Sequence, residues 1–378
     1  MEKSPIDFDL LRSVVPGWKE AKDSEIEAEN LSVCDAERVG LYSVTYKGGP
    51  SSVTYRKFMS EDCFKKYRYP AENGIGPKTI YSKYPILIQE FIEGAKVPGF
   101  AGILTPKIYS SLFKELVKLQ KITIPEEFSK TALLDPYLTN VSNDEFATPF
   151  EAFDLRCKGA QNLSSLSEEE KTIFAKIHPI IKEREFILEI MKPLKMHWCH
   201  GDLHDGNMLW YPETNKVTLI DYEDSGVCFR GYDLANLLYE SCWEIIDEYP
   251  KCRKIGIEYT EKDLERMLLI YTLHWIEPEW EKNIEKTGMK IEDISRDSIK
   301  ELIFEERQRE VFFASFDEVR KEFVIGTMCT AYFWIIWNAL QFSKFETDDW
   351  GHLQVSNVKF DLYFETKKQF LDIYGSTK

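Results

Sequence analysis

Positive charge is in short supply. The 378 residues carry 48 Lys and Arg against 64 Asp and Glu, a net charge of -16 with a pI near 5. Such a surface repels nucleic acid phosphates and is compatible with a cationic small-molecule partner. Paired cysteines are lacking too: the eight, at 34, 63, 157, 199, 228, 242, 252 and 329, stand singly, with no pair at metal-ligand spacing. They read as reduced thiols of a cytoplasmic protein, and the charged start Met1–Pro5 does not read as a secretory leader. Long uncharged runs are scarce. The one that bears on a membrane, Phe323–Leu340, is 18 residues long, contains Gly326, Thr327, Thr330 and Asn338, and reads as a buried helix. Repeats and low-complexity tracts are missing, which excludes solenoids and disordered linkers.

What is present is enough apolar residue, 43%, for a large core in two lobes. Residues 1–30 read as a peripheral helical extension, Phe8–Val15 and then an acidic run over Glu20–Glu29. Strand patterns follow at Leu31–Cys34, Gly40–Tyr46 and Val53–Phe58, with a small-residue turn at Lys47–Ser52. Glu61–Tyr69 reads as a helix and Ile86–Gly94 as an apolar strand with a polar stop, so the first lobe is expected over 1–94 and the second over 95–378. In the second, the pattern predicts helices over Pro106–Ile122, Glu168–Met191, Asp233–Asp247, from Thr260 to Trp275 behind a capping box, over 298–322, Phe323–Phe342 and Val358–Tyr374.

The chain is organised around His200–Asp221. A polar loop, His-Gly-Asp-Leu-His-Asp-Gly-Asn, leads into a short strand, a turn at Pro212–Asn215 and a second strand ending on Asp221. Such a hairpin gathers Asp202, Asn207 and Asp221. Phosphoryl transfer needs that set: a carboxylate, Asp202, to take the proton of an attacking hydroxyl, and hard oxygen ligands, Asn207 and Asp221, for magnesium. His197, Cys199, His200, Asp202 and His204 also crowd one stretch, which raises a zinc hydrolase as an alternative, although no separate His-rich partner segment follows.

From Asp221 the chain continues to Arg230-Gly-Tyr-Asp-Leu-Ala-Asn236 and Glu240, and over most of its length it resembles the choline/ethanolamine kinases, within the wider group of aminoglycoside phosphotransferases. The resemblance implies an α+β, protein-kinase-like fold of two lobes, a small β-rich one and a large, mainly helical one. It implies ATP and magnesium as cofactors, with Arg56 on the phosphates, Ser43 in the phosphate-loop position and the backbone of Gln89, Glu90 and Phe91 at the adenine. For the acceptor it implies choline or ethanolamine, phosphorylated for phospholipid synthesis, with Trp334 and Trp337 as cage walls and Glu240 as counter-charge. Where the family has a cage tyrosine this chain has Asp224, and Trp243 stands near a further expected aromatic. That exchange suits a primary ammonium at least as well as a trimethylated one. Asp233 is expected to orient the catalytic loop. Members of the family are often homodimers, though no stretch here reads as an interface. The alternatives are a pseudokinase of the same fold, suggested by the atypical glycine loop, and a kinase for another amino alcohol or an aminoglycoside.

Overall fold

Five strands between residues 26 and 90 build an antiparallel sheet, and everything C-terminal to it is mainly helix. A computed structural model describes residues 6–31, 39–49, 52–130, 132–138, 148–160, 162, 164–245, 252–254, 259–342 and 351–375. The strands are β1 (Ile26–Asn30), β2 (Val39–Tyr46), β3 (Val53–Phe58), β4 (Thr79–Lys83), β5 (Ile86–Glu90), β6 (Met196–Cys199), β7 (Met208–Trp210), β8 (Val217–Leu219), β9 (Gly226–Phe229), β10 (Trp243–Ile245) and β11 (Cys252–Lys254). The helices are α1 (Phe8–Val14), α2 (Glu61–Glu72), α3 (Gly99–Ile103), α4 (Pro106–Lys121), α5 (Asp135–Leu138), α6 (Pro149–Ala160), α7 (Glu168–Ile177), α8 (Arg184–Met191), α9 (Arg230–Glu240), α10 (Glu261–Ile276), α11 (Trp280–Thr287), α12 (Ile299–Leu302), α13 (Glu306–Phe342) and α14 (His352–Tyr374). They fall into two compact units, Met1–Pro98 with Asn207–Ser225, and Gly99–Gly206 with Gly226–Lys378.

In the first unit the sheet order is β1-β2-β3-β5-β4, and the register sets Arg56 of β3 between Leu41 and Leu87. Leu11 and Trp18 from the N-terminal segment pack on Val44, Val53, Tyr55 and Ile88. The acidic run expected as helix is instead a short 3-10 turn, Asp23–Glu25, followed by β1. Only Ile26 of β1 is buried; its remaining residues face water on a sheet edge, where pairing with β2 outweighs the helix propensity of Glu and Ala. The strand expected at Leu31–Cys34 lies, beyond Leu31, outside the described residues.

The second unit is held by α13, whose buried face (Ile325, Met328, Tyr332, Ile335, Ile336) packs with Phe153, Phe174, Ile177, Leu353 and Tyr363. From Glu306 on, the two helices expected at 298–322 and 323–342 are one, because nothing at the junction breaks it, while Ile299–Leu302 forms a separate short helix before it. The uncharged stretch is thus the core helix of this unit. Conversely, the helix expected over 168–191 is interrupted: Pro179, which has no N–H to give, sits in a 3-10 turn, His178–Glu183, between α7 and α8. The helix expected to run to Asp247 ends at Glu240, and Trp243–Ile245 pairs with Cys252–Lys254. The Thr260 capping box forms as expected, with Thr260 Oγ1 accepting the Asp263 N–H at 3.2 Å and Asp263 Oδ2 accepting the Thr260 N–H at 3.1 Å.

α9 crosses α13 at backbone contact. A Cβ on Gly231 would stand 2.2 Å from the Glu322 carbonyl oxygen, and one on Gly326 would stand 2.2 Å from the Gly231 carbonyl oxygen. Beside the crossing, buried Arg230 donates to Glu322 at 2.9 Å and lies over the Trp275 ring at 4.9 Å. Gly326→Ala must therefore push the helices apart, and should destabilise by about 1–3 kcal/mol in urea unfolding. A change below the error of that measurement would show that the crossing yields.

Two buried histidines of this unit are held neutral. His197 Nδ1–H donates to the Gln120 carbonyl at 3.0 Å, and His274 Nδ1 accepts the Trp280 indole N–H at 3.2 Å while its Nε2 meets Ser110 Oγ at 3.1 Å. Burial pushes their pKa values down, to about 4 and about 3 from the ordinary 6.5. A base depressed in the folded state gives stability that is fully present above about pH 6.5 and lost as pH falls below it, by up to about 1.4 kcal/mol per pH unit per histidine. Thermal melts should show Tm falling between pH 6.5 and 4, with a shallower slope in His274→Gln. An unchanged slope in that variant would mean His274 is not charged on unfolding.

Candidate active site

The loop His200–Gly206 of the second unit is tied to one face of α9 at three places. Asp233 Oδ2 accepts the His200 N–H at 2.9 Å and its Oδ1 the Gly201 N–H at 3.0 Å. Asn236 Nδ2 donates to the Leu203 carbonyl at 3.2 Å. Ser241 Oγ accepts the Asp205 N–H at 2.8 Å. Positions 233, 236 and 240 recur at three- and four-residue spacing, so a single helix face carries Asp233, Asn236 and Glu240, and Ser241 follows as the helix's C-cap. Asp233 is fully buried; burial raises its carboxyl pKa, and the donors from His200, Gly201 and Gln120 pull it back. Gln120 Nε2 reaches Asp233 Oδ2 at 3.0 Å, and its Oε1 accepts the Tyr271 hydroxyl at 2.6 Å. Sequence reasoning anticipated the role of Asp233 and missed Gln120 and Tyr271, whose partners are more than a hundred residues away.

Asp202 is held on this loop with its side chain partly exposed. His204 Nε2 lies 3.8 Å from Asp202 Oδ2. His204 Nδ1 lies 3.1 Å from the Gly206 N and 3.7 Å from Asp205 Oδ1, and although burial opposes the charge, the carboxylates of Asp205 and Asp202 raise the pKa of the ring to about 9.

In the first unit, β7 and β8 pair as expected around the turn at Pro212–Asn215, with Asn215 at φ 55°. The Ile220 N–H donates to the Asn207 carbonyl at 3.0 Å, so the register sets Asn207 beside the residue that precedes Asp221. Asp221 is left-handed, φ 66°, a conformation Asp tolerates better than bulky residues and one that aims a side chain out of a strand end. Its N–H donates to the Tyr67 hydroxyl at 3.3 Å, and the Arg56 guanidinium lies over the Tyr67 ring at 4.6 Å. Tyr67 of α2, which sequence reasoning missed, thus links Arg56 to Asp221. Burial raises the Tyr67 pKa, so its hydroxyl stays neutral. Glu61 and Asp62 of α2 pair with Lys65 at 3.4 Å and Lys66 at 2.8 Å on their own helix. Asp221 and Asn207 carry hard oxygen donors, whose chemistry fits magnesium, an ion that takes one or two protein oxygens and completes its shell with phosphates and water.

Two nucleotide positions differ from expectation. Ser43 lies inside β2, paired with Glu29 and Thr54, and so belongs to a strand rather than a loop; the glycines that turn the chain are Gly48 and Gly49. At the expected hinge the Glu90 N–H donates to the Lys78 carbonyl at 2.9 Å and the Phe91 N–H to the Ser52 carbonyl at 3.2 Å. The buried Gln89 side chain donates to the Pro77 carbonyl at 3.0 Å. These donors are spent on the sheet, which leaves carbonyls, or the chain beyond Phe91, for a base.

The aromatic acceptor residues gather in the second unit. Trp334 donates its indole N–H to Asn236 Oδ1 at 2.9 Å and meets Trp337 edge to face, with centroids 5.1 Å apart. Trp337 in turn meets His352 at 5.8 Å. Glu240 pairs with Lys359 of α14, whose ammonium also lies 5.7 Å from the centre of the Trp243 ring. Asp224 belongs to the first unit, on the turn between β8 and β9.

Residues 54–371 match the choline/ethanolamine kinase family model. A human choline/ethanolamine kinase is 24% identical over 189 residues, covering 49% of this chain and 41% of that protein's length. A probable ethanolamine kinase A of Dictyostelium discoideum is 20% identical over 386 residues, covering 97% of this chain and 92% of the relative. Among solved structures, a choline kinase from Cryptosporidium parvum superposes with a TM-score of 0.65 at 18% identity, over 97% of this chain and 96% of that one, which shows the shared fold.

Proposed function

Because the chain belongs to the choline/ethanolamine kinase family, we propose that it transfers the γ-phosphoryl group of ATP to the hydroxyl of ethanolamine or choline, giving ADP and the phosphorylated amino alcohol for phospholipid synthesis. The observation that carries this reading is the anchored loop: α9 fixes the backbone on both sides of Asp202 through Asp233, Asn236 and Ser241, and the chain then runs directly into the hairpin of Asn207 and Asp221. A base so held needs no reorganisation when it takes the acceptor's hydroxyl proton. Arg56, buried and stacked on Tyr67, supplies a fixed positive charge for the phosphates. Asp221 and Asn207 would hold magnesium, which neutralises charge on the phosphate oxygens when bound. The adenine lies against the carbonyls of the Gln89–Phe91 segment or the chain just beyond it. Trp334, Trp337, Trp243 and Glu240 surround the amine end of the acceptor.

The test is ADP release from Mg-ATP with choline, ethanolamine, an aminoglycoside or no acceptor. Stimulation by ethanolamine or choline, and by neither of the other two conditions, is the expected result. Stimulation by the aminoglycoside alone would assign the chain another acceptor, and nucleotide binding without turnover would make it a pseudokinase.

A further inference from the structure

The carboxylate expected to receive the acceptor's cation already has one. Lys359 stands on the buried stripe of α14, with Ser356, Tyr363 and Thr366, and is 1% exposed. Its ammonium pairs with Glu240 Oε1, donates to the Tyr239 carbonyl at 3.0 Å and lies against the Trp243 ring. A buried lysine with a carboxylate, a carbonyl and an aromatic face is stably placed, since moving it away would leave both its charge and that of Glu240 without a partner. The site that would receive a substrate ammonium therefore presents a neutral pair rather than a bare anion.

We infer that Lys359 sets acceptor specificity, turning this site toward a primary ammonium and away from a quaternary one; the inference rests on the reading above that the acceptor is an amino alcohol. A trimethylammonium group has no N–H. Its binding depends on diffuse negative charge and open aromatic faces, and here Lys359 cancels the charge and takes the Trp243 face. The indole N–H of Trp334 is committed to Asn236, and Trp334 and Trp337 pack edge to face. A primary ammonium instead donates directional hydrogen bonds and needs only an acceptor atom. Glu240 retains one: Lys359 uses Oε1, and among the described residues Oε2 receives no hydrogen bond.

In steady-state assays the wild-type protein should favour ethanolamine over choline in kcat/KM, and Lys359→Met should move that ratio toward choline by about tenfold or more. Lys359→Arg, which keeps the charge, should hold the wild-type preference. A wild-type preference for choline, or a ratio unmoved in Lys359→Met, overturns the inference. Calorimetry on the wild-type protein avoids any dependence on a variant that folds poorly. Methylammonium should bind and tetramethylammonium should not; equal binding of the two, or binding of neither, overturns it as well. Absence of turnover with every acceptor would sink the kinase reading and leave the calorimetric result to decide the specificity of the site.

Discussion

Asp202→Asn should lower kcat by about 10²–10⁴-fold with the preferred acceptor while leaving Mg-ATP affinity unchanged. The amide is nearly isosteric and keeps the bonds that the main chain of His200, Gly201, Leu203 and Asp205 makes to Asp233, Asn236 and Ser241. What is lost is the acceptor for the hydroxyl proton, equivalent to about 3–5 kcal/mol of barrier. His204 does not replace it, because the Asp205 carboxylate beside it keeps the imidazole protonated. A loss under tenfold would place the base elsewhere; a loss in nucleotide affinity of similar size would mean the substitution acts through the loop and not through the proton.

The arrangement of this loop was readable in the sequence to an unusual degree, and the reason is local. Asp202, Asn207 and Asp221 lie within twenty residues, separated by strands of period two and a turn whose Pro and Asn need no tertiary help to form. The strands β2, β3 and β5 were legible for the same reason, as was the capping box at Thr260. Reading failed where distant contacts outvote local preference. The Glu-rich segment before β1 looks helical until β2 is there to pair with it. Ser43 sits in a stretch that matched a glycine loop loosely, and its strand register is set by Thr54 and Glu29 from either side. Lys359 was missed because its partner Glu240 is 119 residues away. A signal existed nonetheless: a lysine on the same stripe as Leu353, Ser356, Tyr363 and Phe370 must be buried if that helix packs, and a buried lysine implies an acidic partner.

Asp233→Ala should be the most destabilising single change near the site, by about 3–5 kcal/mol in urea unfolding. The buried carboxylate accepts from His200, Gly201 and Gln120, and the last of these is itself fixed by Tyr271. Removal takes the acceptor from two buried backbone N–H groups, each costing about 1–3 kcal/mol, with some relief from any water that enters the space, while Gln120 Nε2 keeps the Arg230 carbonyl at 3.3 Å. Asp233→Asn keeps one acceptor oxygen but turns an NH₂ toward a remaining donor, so it should fall between wild type and Ala. Activity should fall further than stability alone explains. The backbone of His200 and Gly201 sets where Asp202 points, so at a temperature where Asp233→Asn is still fully folded its kcat should drop while its Mg-ATP affinity holds. If Asp233→Ala costs less than about 1 kcal/mol, solvent has replaced the carboxylate, and the loop must be positioned by Asn236 and Ser241 instead.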